Sequence, residues 1–333
     1  MNIRVVVLGG GTWGTTMASL AARNASTTLW ARRPEIVDEV NAAHRNAHYL
    51  PGATLSEGLR ATASLQEAVE GADVVVMAVP SYAFRLVLEA AALYVRPWVP
   101  VISLAKGFEQ GTNLRMTEVV GEVLPGHPAG VLSGPNLAQE IVAGHAAASV
   151  VAMHEPNVAE VLQRVFASDL FRVYTNSDVV GCEVAGPIKN VIAIASGIAD
   201  GLETGDSTRA AVITRGMAEL TRFGVAMGGR PETFAGLAGM GDLIATCINP
   251  DSRNRWFGEQ LGRGRPLADV RAELGFAVEG VHSAGVVMQL AAQHGLDLPI
   301  CAEMDAVLNQ GRSPQEAYRG LLRRSANPSV LAR

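Results

Sequence analysis

The stretch that decides the fold is Arg4–Asn24, RVVVLGGGTWGTTMASLAARN. Arg4 to Leu8 is a strand-length apolar run of the kind that forms a strand buried on both faces. Gly9-Gly10-Gly11-Thr12-Trp13-Gly14 reads as a turn, and Thr15 to Asn24, rich in small apolar residues, as a helix. The turn carries GxGxxG at Gly9, Gly11 and Gly14. After a strand and before a helix this pattern marks a dinucleotide-binding unit. Gly9 permits the tight turn, Gly11 lets backbone approach a pyrophosphate, and Gly14 lets helix pack closely on strand, with the helix amides facing the phosphates.

The reading extends outward from this unit. A second strand, Thr27 to Trp30, ends in Ala31-Arg32-Arg33, where a strictly NAD-binding unit offers an acidic residue to the ribose hydroxyls. Arg32 and Arg33 can instead pair with an adenosine 2'-phosphate, so NADPH is expected to serve at least as well as NADH. A helix from Pro34 to His44 and an irregular segment around Tyr49-Leu50-Pro51-Gly52 follow. Ala72–Val79 and Val99–Leu104 read as buried parallel strands, the second delivering Lys106 at its carboxyl end, where such sheets bind ligands. Next come a helix Thr112–Leu124, a strand Ala129–Ser133, the turn Gly134-Pro135-Asn136 opening a helix, and strands Ala147–Met153 and Phe171–Asn176 around a helix Val158–Ala167. Strand and helix alternate throughout, which predicts an α/β, doubly wound sheet.

After Asn176 strand signals nearly vanish, so residues 1–178 are expected to form the dinucleotide domain and 179–333 an all-helical one. Gly181–Gly201, GCEVAGPIKNVIAIASGIADG, is almost wholly apolar, and from Val184 to Ala199 its one ionisable group is Lys189, next to Asn190. A buried ammonium is costly, so such a lysine either reaches water, is held as a satisfied structural group, or is kept because its proton is used. Gly186, Ala193 and Gly197 recur at helical spacing and leave room for a close approach. Asp242 stands among glycines and apolar residues in GLAGMGDLI, a poor setting for a surface carboxylate. Asp251-Ser252-Arg253-Asn254-Arg255 combines a helix cap, amides, a hydroxyl and guanidiniums, a set suited to a phosphate dianion as well as to a plain N-cap. Val278-Glu279-Gly280-Val281 begins another helix, and Ser313-Pro314-Gln315-Glu316 is a capping box for the last one. Ser325–Arg333 is expected to fray.

Composition bounds these readings. The 333 residues are 48% hydrophobic and 18% charged with a net charge of -5, long enough for two cores and unsuited to nucleic acid as the main partner. Three widely spaced cysteines, Cys182, Cys247 and Cys301, argue against a disulfide framework or a zinc site, and no metal is expected. The amino terminus lacks the pattern of a signal peptide and no apolar run is long enough to span a membrane, so a cytoplasmic protein acting on a small molecule is expected.

The motifs GGGTWGT, SLAKGFE, LSGPNLAQE, CEVAGPIKNVIAI, ITRGMAEL, GLAGMGDLIATC, SRNR and VEGVHSA resemble, in order and spacing, those of the bacterial-type NAD(P)-dependent glycerol-3-phosphate dehydrogenases. The resemblance implies a Rossmann-like domain followed by an all-helical one, as in 6-phosphogluconate dehydrogenase. It implies NADP(H) and/or NAD(H) as cofactor, touched by Thr12, Trp13, Arg32, Arg33, Lys106, Ala138, Arg253, Val278 and Glu279. It implies glycerol phosphate surrounded by Lys106, Gly134, Asn136, Lys189, Asp242, Ser252, Arg253 and Asn254, with Lys189 as the proton-transfer residue and Asn190 beside it. It also implies a homodimer and a role in supplying phospholipid synthesis. Asn136 stands where the family commonly has serine or threonine, an amide that can still donate a hydrogen bond. Pro187 stands where alanine is common, so the helix is expected to begin near Pro187 or to kink there. The rival readings are a hydroxy-acid or ketopantoate dehydrogenase, which needs a carboxylate clamp, and a non-catalytic NAD(P)H sensor.

Overall fold

The computed structural model describes residues 3–274 and 278–323. Its contacts divide the chain into two compact units, one of residues up to 105 with 114–179, the other of 106–113 with 180 onward. Ser325–Arg333, with its expected fraying, lies outside the described residues.

The first unit alternates strand and helix: β1 (Arg4–Leu8), α1 (Thr12–Ala21), β2 (Ser26–Trp30), α2 (Pro34–Ala43), β3 (Leu59–Thr62), α3 (Leu65–Val69), β4 (Val74–Met77) and α4 (Ser81–Ala92). It continues with β5 (Val101–Ser103), α5 (Met116–Val123), β6 (Ala129–Ser133), α6 (Ala138–Val142), β7 (Ala147–Ala152), α7 (Pro156–Phe166) and β8 (Phe171–Asn176). The eight strands lie in the order β3-β2-β1-β4-β5-β6-β7-β8. All pairs are parallel except β6 with β7. Successive side chains of a strand point to opposite faces. Accordingly Val5, Val7, Val74 and Val76 enter one core with Met17, Leu162 and Phe166, while Val6, Leu8, Val75 and Met77 enter the other with Phe84, Leu88 and Val119. Helices therefore cover both faces, which is why these strands are apolar without alternation.

β3, α3 and α4 are additional to the elements expected from sequence, and the helix expected over Thr112–Leu124 begins only at Met116. Residues 112–115 are not helical; Asn113 holds a left-handed φ of 62° that a helix excludes.

The second unit is helical: α8 (Val179–Gly201), α9 (Asp206–Ala226), α10 (Pro231–Phe234), a π-helical turn (Leu237–Gly241), α11 (Asp242–Ile248), α12 (Arg253–Gly262), α13 (Leu267–Leu274), α14 (Glu279–Gln293), α15 (Pro299–Asn309) and α16 (Pro314–Arg323). α8 does not begin near Pro187; the proline lies inside it. Val184, Ala185, Ile188 and Val191–Ile194 are fully buried around that point, and their packing outweighs the one amide donor that proline lacks. This helix is long and apolar enough to cross a membrane, yet 94% of its apolar window is buried as the core of the unit. The glycines of α8 admit protein. A Cβ on Gly197 would stand 1.9 Å from the carbonyl oxygen of Arg255, and one on Gly258 would stand 2.0 Å from that of Ile194, so α8 and α12 cross at backbone contact. Ser313 and Glu316 form the expected reciprocal cap on α16.

Candidate active site

In the helical unit one carboxylate holds two ammonium groups. Lys189 Nζ, on α8, donates to Asp242 Oδ1 at 2.9 Å, and Lys106 Nζ donates to Asp242 Oδ2 at 2.6 Å. Lys189 and Asp242 are buried. Gly186 makes the arrangement possible, because a Cβ there would lie 3.0 Å from Lys106 Cβ. Asp242 is aimed by the π-helical turn before it. There the Gly241 amide donates back to Gly236, and a Cβ on Gly239 would meet the Phe234 carbonyl at 2.1 Å.

Thr246, one turn beyond Asp242, completes the group. Its hydroxyl donates to the Asp242 carbonyl at 2.6 Å, so its oxygen accepts from Lys189 Nζ at 2.7 Å. An ammonium has three donors. Two of those on Lys189 are committed, and the third is the one it can lose. Burial pulls Lys189 down from the ordinary lysine range to about 8; the Asp242 charge opposes this and the Lys106 charge adds to it. Asp242 is buried too, which favours its neutral form, but the two lysines outweigh burial and hold it below the ordinary carboxylate range. The cluster carries one net positive charge, an environment for an anion or a developing alkoxide.

An amide relay positions this cluster. Asn190 Nδ2 donates to the Lys106 carbonyl at 3.1 Å, Asn254 Nδ2 donates to Asn190 Oδ1 at 2.9 Å, and the Gly280 amide donates to Asn254 Oδ1 at 3.1 Å. Ser252 is the N-cap of α12, accepting from the Arg255 amide at 3.4 Å, which leaves its hydroxyl hydrogen for another acceptor. Desolvation pulls Arg253 below the ordinary arginine range, and the Glu279 charge opposes this. Arg255, also weighed as part of the phosphate set, is committed to Asp200 at 2.8 Å and Glu259 at 3.4 Å.

In the sheet unit, α1 opens at Thr12, so Thr12 and Trp13 sit on its first turn rather than in the preceding loop. Gly9 has a φ of 131° and a Cβ there would meet the Ala78 carbonyl oxygen at 2.7 Å, while one on Gly14 would meet the Gly9 carbonyl oxygen at 2.0 Å. Gly11 is different: its Cβ direction is open. Trp13 Nε1 is buried without a partner among the described residues. An open backbone edge, an orphaned donor and a helix start form a fitting cradle for a dinucleotide phosphate.

Two family models divide the chain between them: the NAD-dependent glycerol-3-phosphate dehydrogenase N-terminus matches residues 4–159 and the C-terminus of the same enzyme matches residues 178–319. The chain belongs to this family. It is 57% identical over 325 residues to "Glycerol-3-phosphate dehydrogenase [NAD(P)+] 2" of Sphingopyxis alaskensis, covering 98% of each chain. It is 54% identical over 320 residues to "Glycerol-3-phosphate dehydrogenase [NAD(P)+]" of Mycobacterium avium, covering 96% of this chain and 94% of that one. A crystal structure of glycerol-3-phosphate dehydrogenase from Coxiella burnetii superposes with a TM-score of 0.92 at 36% identity, covering 97% and 99% of the two chains. An NAD(P) cofactor follows for this glycerol-3-phosphate dehydrogenase family member.

Of the residues that the sequence assigned to the substrate, the structure joins Lys106, Lys189, Asp242 and Asn254 in one network with Asn190. Ser252 and Arg253 start α12 in the same unit, whereas Gly134 and Asn136 belong to the sheet unit. Of the cofactor set, Gly9, Gly11, Thr12, Trp13, Gly14, Arg32, Arg33 and Ala138 lie in the sheet unit, and Lys106, Arg253, Val278 and Glu279 in the helical one.

Asn136 is tied to the neighbouring strand. Its Nδ2 is given to Ser149 Oγ at 3.2 Å, and Ser149 in turn donates to the Ser133 carbonyl at 2.9 Å. Among the described residues the buried Asn136 Oδ1 has no partner, and its amide keeps a second N–H beyond the one given to Ser149. Thr246 was not singled out by the sequence; its spacing of one turn from Asp242 was the only signal.

Proposed function

We propose that this chain catalyses the reversible NAD(P)H-dependent reduction of dihydroxyacetone phosphate to sn-glycerol 3-phosphate, with Lys189 as the proton donor and acceptor. The observation that carries this is the buried Lys189 ammonium, held by Asp242 and Thr246 with one N–H uncommitted and a pKa near 8. A group that titrates close to working pH gives and takes a proton with little cost in either direction. The nicotinamide, when bound, supplies the hydride to the ketone carbon. Lys189 gives its third proton to the ketone oxygen in reduction and takes it from the alcohol in oxidation. Asp242 and Thr246 fix the direction of that N–H, and Lys106 keeps the site positive as charge grows on the oxygen.

Ser252, Arg253 and Asn254 are proposed to hold the substrate phosphate, Ser252 with its spare hydroxyl hydrogen and Arg253 with its guanidinium. Gly9, Gly11, Thr12, Trp13 and Gly14 are proposed to hold the cofactor phosphates, and Arg32 and Arg33 the adenosine 2'-phosphate. The three cysteines are buried and form no disulfide among the described residues, and the cytoplasm is the compartment we assign. A homodimer rests on the family alone, and a supply of precursor to phospholipid synthesis rests on the reaction.

Initial rates of NADPH oxidation test the substrate. Dihydroxyacetone phosphate should react well, and ketopantoate and unphosphorylated dihydroxyacetone poorly; Arg253→Ala should raise KM for dihydroxyacetone phosphate by about tenfold or more, from loss of a charge-assisted contact. Equal rates with ketopantoate would favour the hydroxy-acid reading, and no turnover with any ketone would favour the sensor.

A further inference from the structure

The turn after α2 carries a feature that neither the proton-transfer cluster nor the glycine loop uses. Arg33 Nη1 lies 2.9 Å from His48 Nε2. A guanidinium only donates hydrogen bonds, so the His48 nitrogen must accept, which fixes the neutral ring with its hydrogen on Nδ1. Among the described residues neither Arg32 nor Arg33 has a carboxylate partner, although the chain carries 32 acidic residues. Two cations at the carboxyl end of β2, one of them held by a neutral acceptor, make a preorganised place for an anion.

The turn that carries His48 is tied to the nucleotide loop. Asn46 is buried and its Nδ2 donates to the Gly10 carbonyl at 3.0 Å and to Thr15 Oγ1 at 2.8 Å. The Ala47 amide donates to Glu39 Oε2 at 3.0 Å, and the Leu50 amide to the Asn46 carbonyl at 2.8 Å. The His48 ring packs edge-on against Tyr49, with centroids 4.5 Å apart and planes at 87°. His48 is thus a surface residue on a fixed turn, and it takes up one donor of Arg33 while leaving the other four free.

We propose that His48 is a positioning residue for cofactor choice: by holding Arg33 it prepares the site for the adenosine 2'-phosphate and raises the preference for NADP(H) over NAD(H). This rests on the reading that Arg32 and Arg33 receive that phosphate. Adenosine 2',5'-bisphosphate and adenosine 5'-phosphate differ only in the group concerned, so their dissociation constants, measured by calorimetry on the full chain, isolate it. His48→Ala should weaken the bisphosphate by about three- to tenfold, the range for the net loss of one hydrogen bond, and leave the monophosphate unchanged. His48→Gln, whose amide oxygen also accepts, should restore most of the loss. Equal weakening of both nucleotides would show that His48 merely shapes the turn, and no weakening of the bisphosphate would also overturn the proposal. If Arg33→Ala abolishes the preference while His48→Ala keeps it, the Arg33 reading stands and His48 falls. If the wild type shows no preference, both fall.

Discussion

The Lys189 ammonium and the Asp242 carboxylate meet at 2.9 Å inside the helical unit, and the same carboxylate binds Lys106 through its other oxygen. One negative charge is therefore divided between two positive ones. This keeps Asp242 ionised yet leaves Lys189 only partly compensated, so that burial wins and its proton is loosened.

A pH dependence of opposite sign in the two directions follows. Reduction needs protonated Lys189, so its kcat/KM should be level below about 8 and fall as pH rises through that value. Oxidation needs the neutral amine and should rise through the same range. Because the Lys106 charge helps lower Lys189, Lys106→Met should move the limb to higher pH. Rate profiles in both directions check this.

Thr246→Val should lower kcat by about tenfold, since one N–H of a buried ammonium loses its acceptor. The charged form loses support, so the alkaline limb of reduction should move to lower pH. Thr246→Ser keeps the hydroxyl and should restore both. A variant that lowers only thermal stability, with the limb unmoved, would show that Thr246 packs without tuning Lys189.

Two glycine-to-alanine changes should have opposite signs in thermal melting. At Gly197 the new Cβ runs into the Arg255 carbonyl and must force α8 from α12, a cost of about 1–3 kcal/mol for overpacking. At Gly121, exposed on α5 with nothing near its Cβ, alanine should gain about 0.5–1 kcal/mol from helix propensity.

These residues also show what could be read without a structure. The β1 turn and α1 were legible because each glycine has a local reason, and α8 because a lone lysine in an apolar run has few other homes. The reversed β7 was harder. Its apolar run looks like that of its parallel neighbours, and only the shortness of α6, five residues, hints that the connection is not an ordinary crossover. The α4 spacing Phe84, Leu88, Ala91 is a helical one, legible in the sequence. Pro187 and Asn136 are hard to place from sequence for a common reason: the setting of each depends on partners far along the chain, the core around α8 and Ser149 on β7. Thr246 was silent because a threonine in a helix has no chemistry until a lysine from another helix reaches it.

The most direct test of the central claim is the rate of NADPH oxidation by dihydroxyacetone phosphate for wild type and Lys189→Met, with NADPH affinity measured on both. A positioned acid is worth about a hundred- to ten-thousandfold, so the variant should lose turnover by that order while binding NADPH as tightly as wild type. Turnover within a few-fold of wild type would contradict the account, because the proton would then come from somewhere other than Lys189.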